Sequence, residues 1–350
     1  MILLAIALLA LILALQSLSR RWALSGLEAD HRPSKFLVEA GEEFELVLTF
    51  TNRSRLPVSF LRYKETLPEG LLPAEGCPHA DTDPRGMPCI TGTAWLAPRQ
   101  SLERRIPVRA GRRGRYTLRP LEVRGGDFLG LKETSRLCGS FAEVVVYPKG
   151  AGEDRGEEVL GGLTGDVSVR RYLFEDPILT VGCRDYTGRE PMRSISWTQS
   201  AKTGKLLVRQ QDYTAEPSVS VSVSVSGGDE ERREQCLSLA RQVCEELEQR
   251  GVKYEFQLNA VSLGGLSPWC RVNDGGGRSH LNNVLEGLGR AQTTPALSLD
   301  KLVRLSLKDL DGARGLILIL PEPIPLSAIR RRVEGRGGTL RTIVAKEVLP

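Results

Sequence analysis

The chain has 350 residues, 41% of them hydrophobic and 26% charged, with a net charge of +5 at pH 7. This is ordinary globular composition, long enough for two domains and unlike a disordered or collagenous chain. The basic excess is too small to point to nucleic acid, and seven cysteines without a C-x-x-C pair give neither a disulfide framework nor the commonest zinc and redox motifs.

Taken in chain order, the first feature is apolar. Residues 2–15 are unbroken by any polar side chain, and Arg20 and Arg21 follow closely. With Met1 and residues 16–18 the stretch is about as long as the shortest spanning helices, and charge behind it places the rest of the chain in the cytoplasm. Residues 1–19 are therefore expected to form a transmembrane anchor, making a single-pass cell-membrane protein. A cleaved signal segment and a truncated two-helix hairpin are the alternatives. Residues 20–35 read as a polar juxtamembrane stretch.

Residues 36–148 read as an antiparallel β-sandwich domain. Strands are expected near 44–50, 57–63, 101–109, 115–123 and 141–147. Gly111-Arg112-Arg113-Gly114 is a hairpin turn between two of them, and the Pro- and Gly-rich stretch 75–92 reads as an irregular loop. Residues 149–180 are rich in glycine and charge and read as a linker. Residues 181–350 alternate between strand and helix. Valine and serine alternate over 217–225, giving a strand with one apolar and one small polar face. The spacing predicts a helix over 229–250, with acids in its first turn and Gly251 as its stop. A strand over 254–260, helices over 281–288 and 299–310 (Ser298 as N-cap), and strands over 316–320 and 340–344 complete a doubly wound, mainly parallel α/β sheet.

Two motifs are more specific than these elements. The first is Arg113-Gly114-Arg115-Tyr116-Thr117-Leu118-Arg119-Pro120, followed by Asp127-Phe128-Leu129-Gly130-Leu131. The second holds Arg184, Tyr186, Arg193, Ile195, Trp197, Ser200, Ala201 and Gly204. Together they resemble the family called domain of unknown function 58, over roughly residues 36–345. The chain departs from the family pattern at Gly188-Arg189, where Gly-Asp is expected, and at Phe128, which follows Asp127 without a proline. The resemblance implies that the second domain has a von Willebrand factor A-like fold and that the protein accompanies a MoxR-type AAA+ ATPase in assembling or maturing protein complexes. Read from the residues alone, the cations Arg184, Arg193, Lys202, Lys205 and Arg209, set among Asp185, Tyr186, Trp197 and Asp212, suit ion pairs and cation–π contacts that pin the chain. A docking surface is the second reading.

Catalytic chemistry is sparse. The von Willebrand factor A fold often holds Mg²⁺ with Asp-x-Ser-x-Ser at the end of its first strand. Here the serines are present without the aspartate, so Ser222, Ser224 and Asp229 make at most a degenerate site, and no cofactor is expected. Residues 200–205 lack the first glycine and the final hydroxyl of a phosphate loop. The chain has three histidines, His31, His79 and His280, which leaves little for a Ser-His-Asp or Cys-His site. Cys77, His79 and Cys89 lack a fourth zinc ligand. The arginine run over 104–124 falls on strands, where alternate side chains share one solvated face. Contact with anionic lipid or an acidic partner is a further reading of that run, and nucleic acid is not expected. The expectation is a membrane-anchored, non-enzymatic scaffold or adaptor, partnered by an AAA+ ATPase through the strand ends at Ser222, Ser224, Ser226 and Asp229. The alternatives are an extracytoplasmic envelope or adhesion module, which a Cys77–Cys89 bridge would accompany, and a hydrolase.

Overall fold

The computed structural model describes residues 24–77, 79–126, 133–150, 175–186, 195–213, 218–265, 267–308, 315–335 and 338–345. The chain divides into two compact units. The first comprises 1–150, 260–270 and 282–294, and the second 151–259, 271–281 and 295–350.

The first unit is a β-sandwich. One sheet has the order β1 (Leu27–Pro33), β3 (Glu43–Asn52), β8 (Ser101–Ala110), β5 (Leu71–Pro73). A second runs β11 (Glu133–Cys138), β10 (Leu121–Gly126), β4 (Val58–Thr66), β7 (Pro88–Leu96), β6 (Ala80–Thr82). The third is β2 (Leu37–Glu39), β12 (Ala142–Tyr147), β9 (Gly114–Leu118), in which β2 and β12 pair in parallel. The strands form because apolar side chains recur at every second position. Phe44, Leu46, Leu48 and Phe50 of β3 lie opposite Val108, Ile106, Arg104 and Leu102 of β8. All three sheets contribute to one core, among them Leu48, Phe50, Leu61, Tyr63, Ile90, Val123 and Val144. The Phe50 and Tyr63 rings meet at 5.0 Å.

A buried polar pair crosses that core. His31 Nδ1 on β1 lies 2.9 Å from Glu65 Oε2 on β4, and both side chains are fully buried. The other ring nitrogen donates to the Ser140 carbonyl at 2.8 Å. Burial pulls the imidazole pKa down, but the Glu65 contact and the Ser140 carbonyl outweigh it and the pKa is raised. Burial raises the Glu65 carboxyl against the pull of His31.

The second unit is built on parallel strands. β15 (Ser218–Val223) pairs in parallel with β16 (Lys253–Ser262) on one side and with β19 (Gly315–Leu320) on the other, and β19 pairs in parallel with β20 (Thr339–Val344). β17 (Trp269–Gly275) lies beyond β16, and β18 (Ala291–Pro295) also pairs with β16. α2 (Glu230–Gln249) packs on β15 and β19. α4 (Leu299–Lys308) and α5 (Ser327–Glu334) share a small core with β19 through Val303, Leu307, Val333 and Leu316. α3 is Arg278–Arg290. An antiparallel pair, β13 (Glu175–Asp185) and β14 (Leu207–Tyr213), flanks the short helix α1 (Trp197–Thr203).

Several expectations are met closely. Asp229 caps α2, accepting the Arg232 N–H at 2.8 Å, and Gly251 leaves the helix with φ 65°. Ser298 accepts the Lys301 N–H at the start of α4. Others are corrected. The juxtamembrane stretch is strand β1, whose charged residues Glu28, Asp30 and Arg32 face outward between buried Leu27, Ala29 and His31. The loop over 75–92 contains β6 and part of β7. β13 begins inside the expected linker. The membrane location is corrected too. No helix among the described residues is long and apolar enough to cross a membrane. α2 has the length, but nine of its 20 residues are charged, and a span needs about 20 mostly apolar residues. The anchor expected over 1–19 lies outside the described residues.

Candidate functional site

β15 has β16 on one side and β19 on the other, and the C-terminal end of such a parallel strand is the customary ligand position in α/β sheets. Here that end is occupied by internal hydrogen bonds. Asn259, at the C-terminal end of β16, accepts the Val225 N–H at 2.8 Å. Its amide donates to Ser224 Oγ, Ser226 Oγ and the Leu297 carbonyl at 3.1, 2.9 and 3.0 Å. Arg233 donates to the carbonyls of Gly227 and Gly228 at 3.0 and 2.9 Å. Gly227 has φ 88°, and a Cβ there would lie 2.2 Å from Glu322 Oε1. The turn is closed by these contacts, and its groups are oriented toward one another.

The three residues of the degenerate metal site are not brought together. Ser222 Oγ meets Ser306 Oγ of α4 at 2.6 Å, Ser224 is held by Asn259, and Asp229 is engaged as a helix cap. Among the described residues no group of three or more His, Cys, Asp or Glu side chains could hold a metal ion. The expected partner surface is corrected as well. Ser222 and Ser224 are completely buried: Ser222 lies against Ser306 of α4, and Ser224 against Asn259 of β16. Ser226 is half-buried and Asp229 exposed.

The polar face of β15 belongs to a hydrogen-bonded line missed in the sequence. Ser222 meets Ser306, Ser306 donates to Gln257 Oε1 at 3.2 Å, Gln257 donates to Glu255 Oε1 at 2.8 Å, and Arg271 pairs with Glu255 at 2.8 Å. Its signal was present: Glu255, Gln257 and Asn259 alternate with Tyr254, Phe256 and Leu258, so β16 matches the serine face of β15 in register.

The second motif forms a compact helix-turn. Ser196 N–H donates to the Leu207 carbonyl at 2.8 Å, and Leu207 N–H donates to Ser200 Oγ at 2.9 Å. Gly204 ends α1 at φ 71°, in the left-handed region that glycine adopts freely. Ile195 is buried, and Tyr186 N–H donates to the Leu206 carbonyl at 2.9 Å. Ala201, Lys202 and Lys205 are exposed. Trp197 is not packed as the sequence suggested: it is 58% exposed, and Leu206 is 48% exposed. Arg184 lies on β13 opposite Val208. Arg193 lies outside the described residues, as do Asp127, Phe128 and Gly188-Arg189.

The first motif is engaged inside the first unit. Arg113 Nη1 donates to the Leu288 carbonyl at 3.0 Å and also to that of Ala291. Arg115 pairs with Glu143 at 2.8 Å, and Arg290 pairs with the same carboxylate. Burial pulls the Glu143 pKa upward, yet the two guanidiniums hold it below the usual range. Tyr116 Oη donates to the Arg112 carbonyl at 2.7 Å, and a Cβ on Gly70 would lie 2.3 Å from that hydroxyl oxygen.

Other reactive groups are subdued. Burial pushes the thiols of Cys236 and Cys270 up to about 12, and a protonated, buried thiol is a poor nucleophile. Cys77 and Cys89 are free thiols. His280 stacks edge-on against Tyr254 at 4.7 Å. The expected arginine face on β8 is ion-paired: Arg105 with Glu103 and Glu45, and Arg109 with Glu75.

No family model matches the chain, and no curated protein matches it. Among solved structures it is similar to a non-cellulosomal cohesin of Archaeoglobus fulgidus, at 14% identity over 34% of this chain and 91% of that one, with a TM-score of 0.24. A CARDB domain of a Pyrococcus furiosus protein, solved with two metal ions, is similar at 13% identity over 34% and 91%, TM-score 0.23. A type II cohesin domain of Acetivibrio cellulolyticus is similar at 11% identity over 33% and 95%, TM-score 0.26. Scores of this size carry no inference about fold or function.

Proposed function

We propose that this chain is a non-enzymatic scaffold or adaptor that binds a partner protein through its second unit. Its fold is read as von Willebrand factor A-like, and the partner, by the family resemblance, as a MoxR-type AAA+ ATPase. The observation that carries the reading is Trp197. A side chain that would bury a large apolar area stands 58% exposed on the motif helix, with Leu206 at 48% nearby in sequence. Three other residues of the motif, Ile195, Ser200 and Gly204, hold that helix in place. Rigidly presented tryptophans are prominent among side chains that dominate protein–protein binding energy. The strand ends, where an α/β enzyme would place its chemistry, are closed by Asn259, Arg233 and Asp229.

An affinity pull-down of the full chain, with and without ATP, tests the reading. Recovery of an AAA+ ATPase whose retention depends on nucleotide supports it. Absence of any such ATPase in both states overturns the partner assignment.

A further inference from the structure

A second surface lies on α4 and α5. The two helices are neighbours, joined by the core of Val303, Leu307, Leu316 and Val333 and by the ion pair between Arg332 and Asp300 at 3.1 Å. Their outer faces carry Lys301, Arg304, Lys308, Arg330, Arg331 and Arg332, all exposed, against only Asp300 and Glu334. Six cations less two acids leave +4 on these 18 residues (10 and 8), compared with +5 for the whole chain.

Local helix electrostatics account for part of this charge. Lys308, Arg331 and Arg332 stand in last turns, where the macrodipole favours cations. Lys301 and Arg330 stand in first turns, where it disfavours them. Asp300 is shared between Arg304 and Arg332, and these guanidiniums hold its carboxyl below the usual range. Among the described residues, Lys301, Lys308 and Arg330 have no ion-pair partner. The helices thus carry cations placed against local stability.

We propose that this face docks an acidic, extended segment of a partner protein. Lys301, Arg304 and Lys308 form a stripe along α4, spaced about 4.5 and 6 Å along the axis at 1.5 Å per residue. Lys301 and Lys308 lie about 10.5 Å apart along the axis, so two carboxylates on alternate residues of an extended chain, about 7 Å apart, fit within the stripe. Neither helix contains an aromatic side chain, so there is no stacking platform for single-stranded nucleic acid. This surface is independent of Trp197.

The test uses the full chain and a fluorescein-labelled peptide of six Glu-Ser repeats, read by fluorescence anisotropy. Binding at 50 mM salt (about a 14 Å Debye length) should weaken at least about tenfold by 300 mM. The triple variant Lys301→Glu, Lys308→Glu, Arg330→Glu should lose at least about tenfold in affinity, which is about 1.4 kcal/mol. The charge-matched control Arg55→Glu, Arg85→Glu, Arg99→Glu, all exposed positions, should retain wild-type affinity. Carbodiimide cross-linking of wild-type protein should place the peptide on Lys301 or Lys308, a readout that does not depend on the variants folding. Absence of binding, equal loss in the control, or cross-links elsewhere overturns the proposal. So does tighter binding of a twelve-residue oligothymidylate or of anionic phospholipid vesicles than of the peptide.

Discussion

The two motifs behind the family resemblance end in opposite situations. In the first, the side chains with most binding potential are used internally. Arg113 holds the carbonyls of Leu288 and Ala291, Arg115 shares Glu143 with Arg290, and Tyr116 lies against Gly70. In the second, the small residues do the structural work, through Ser200 and Gly204, and the largest side chain is left in solvent. An Arg-aromatic pattern therefore does not by itself distinguish a packing device from a recognition surface. What distinguishes them is whether backbone carbonyls and carboxylates lie within reach of the cations.

Substitutions sharpen that contrast, and a residue outside both motifs sets its scale. Glu65→Ala should destabilise the protein by about 3–5 kcal/mol, because it strands a buried imidazole; denaturant melts measure it. The pH profile adds a sign. In the wild type, His31 and Glu65 both have folded pKa values above the ordinary 6.5 and 4.5, so stability is lost as pH rises from those values through the raised ones. In the variant, burial becomes the chief influence on His31 and depresses it, so stability should instead be lost as pH falls through the histidine range. Tyr116→Ala follows, at about 3 kcal/mol in the same melts, for the lost burial and the unpaired Arg112 carbonyl. Arg113→Ala should cost about 1.5 kcal/mol and speed amide exchange at the C-terminal end of α3. Gly204→Ala is the smallest of these, about 1 kcal/mol, since its Cβ meets open space and only the left-handed backbone is strained. If the two motifs responded alike, with Trp197 as costly to remove as Tyr116, the contrast would fail.

Much of the second unit was legible in the sequence. The Val-Ser alternation of β15, the capped α2 and the apolar run of β19 each follow from local periodicity and end signals. The state of the serines at the end of β15 was not legible, because Ser222 is covered by α4, a helix about 80 residues away in sequence, and Ser224 by Asn259 of β16. β1 was missed because three of its seven residues, Glu28, Asp30 and Arg32, are charged, and the alternation that hides Leu27, Ala29 and His31 is short. The exposure of Trp197 was not legible either: cations and acids near it in sequence suggested packing, but at the first residue of α1 burial depends on tertiary contacts that the local pattern does not specify. The basic face of α4 and α5 was invisible as a unit, because Lys301–Lys308 and Arg330–Arg332 are far apart in sequence and are brought together by the shared core and the Arg332–Asp300 pair.

The most direct measurement compares nucleotide-dependent recovery of the AAA+ ATPase by the wild-type chain and by Trp197→Ala, with thermal midpoints recorded for both. Loss of an exposed side chain should change stability by no more than about 0.5 kcal/mol. Recovery should fall at least about tenfold, as expected for a binding hot spot worth about 1.4 kcal/mol or more. Equal recovery by the two chains, with matching midpoints, would contradict the account.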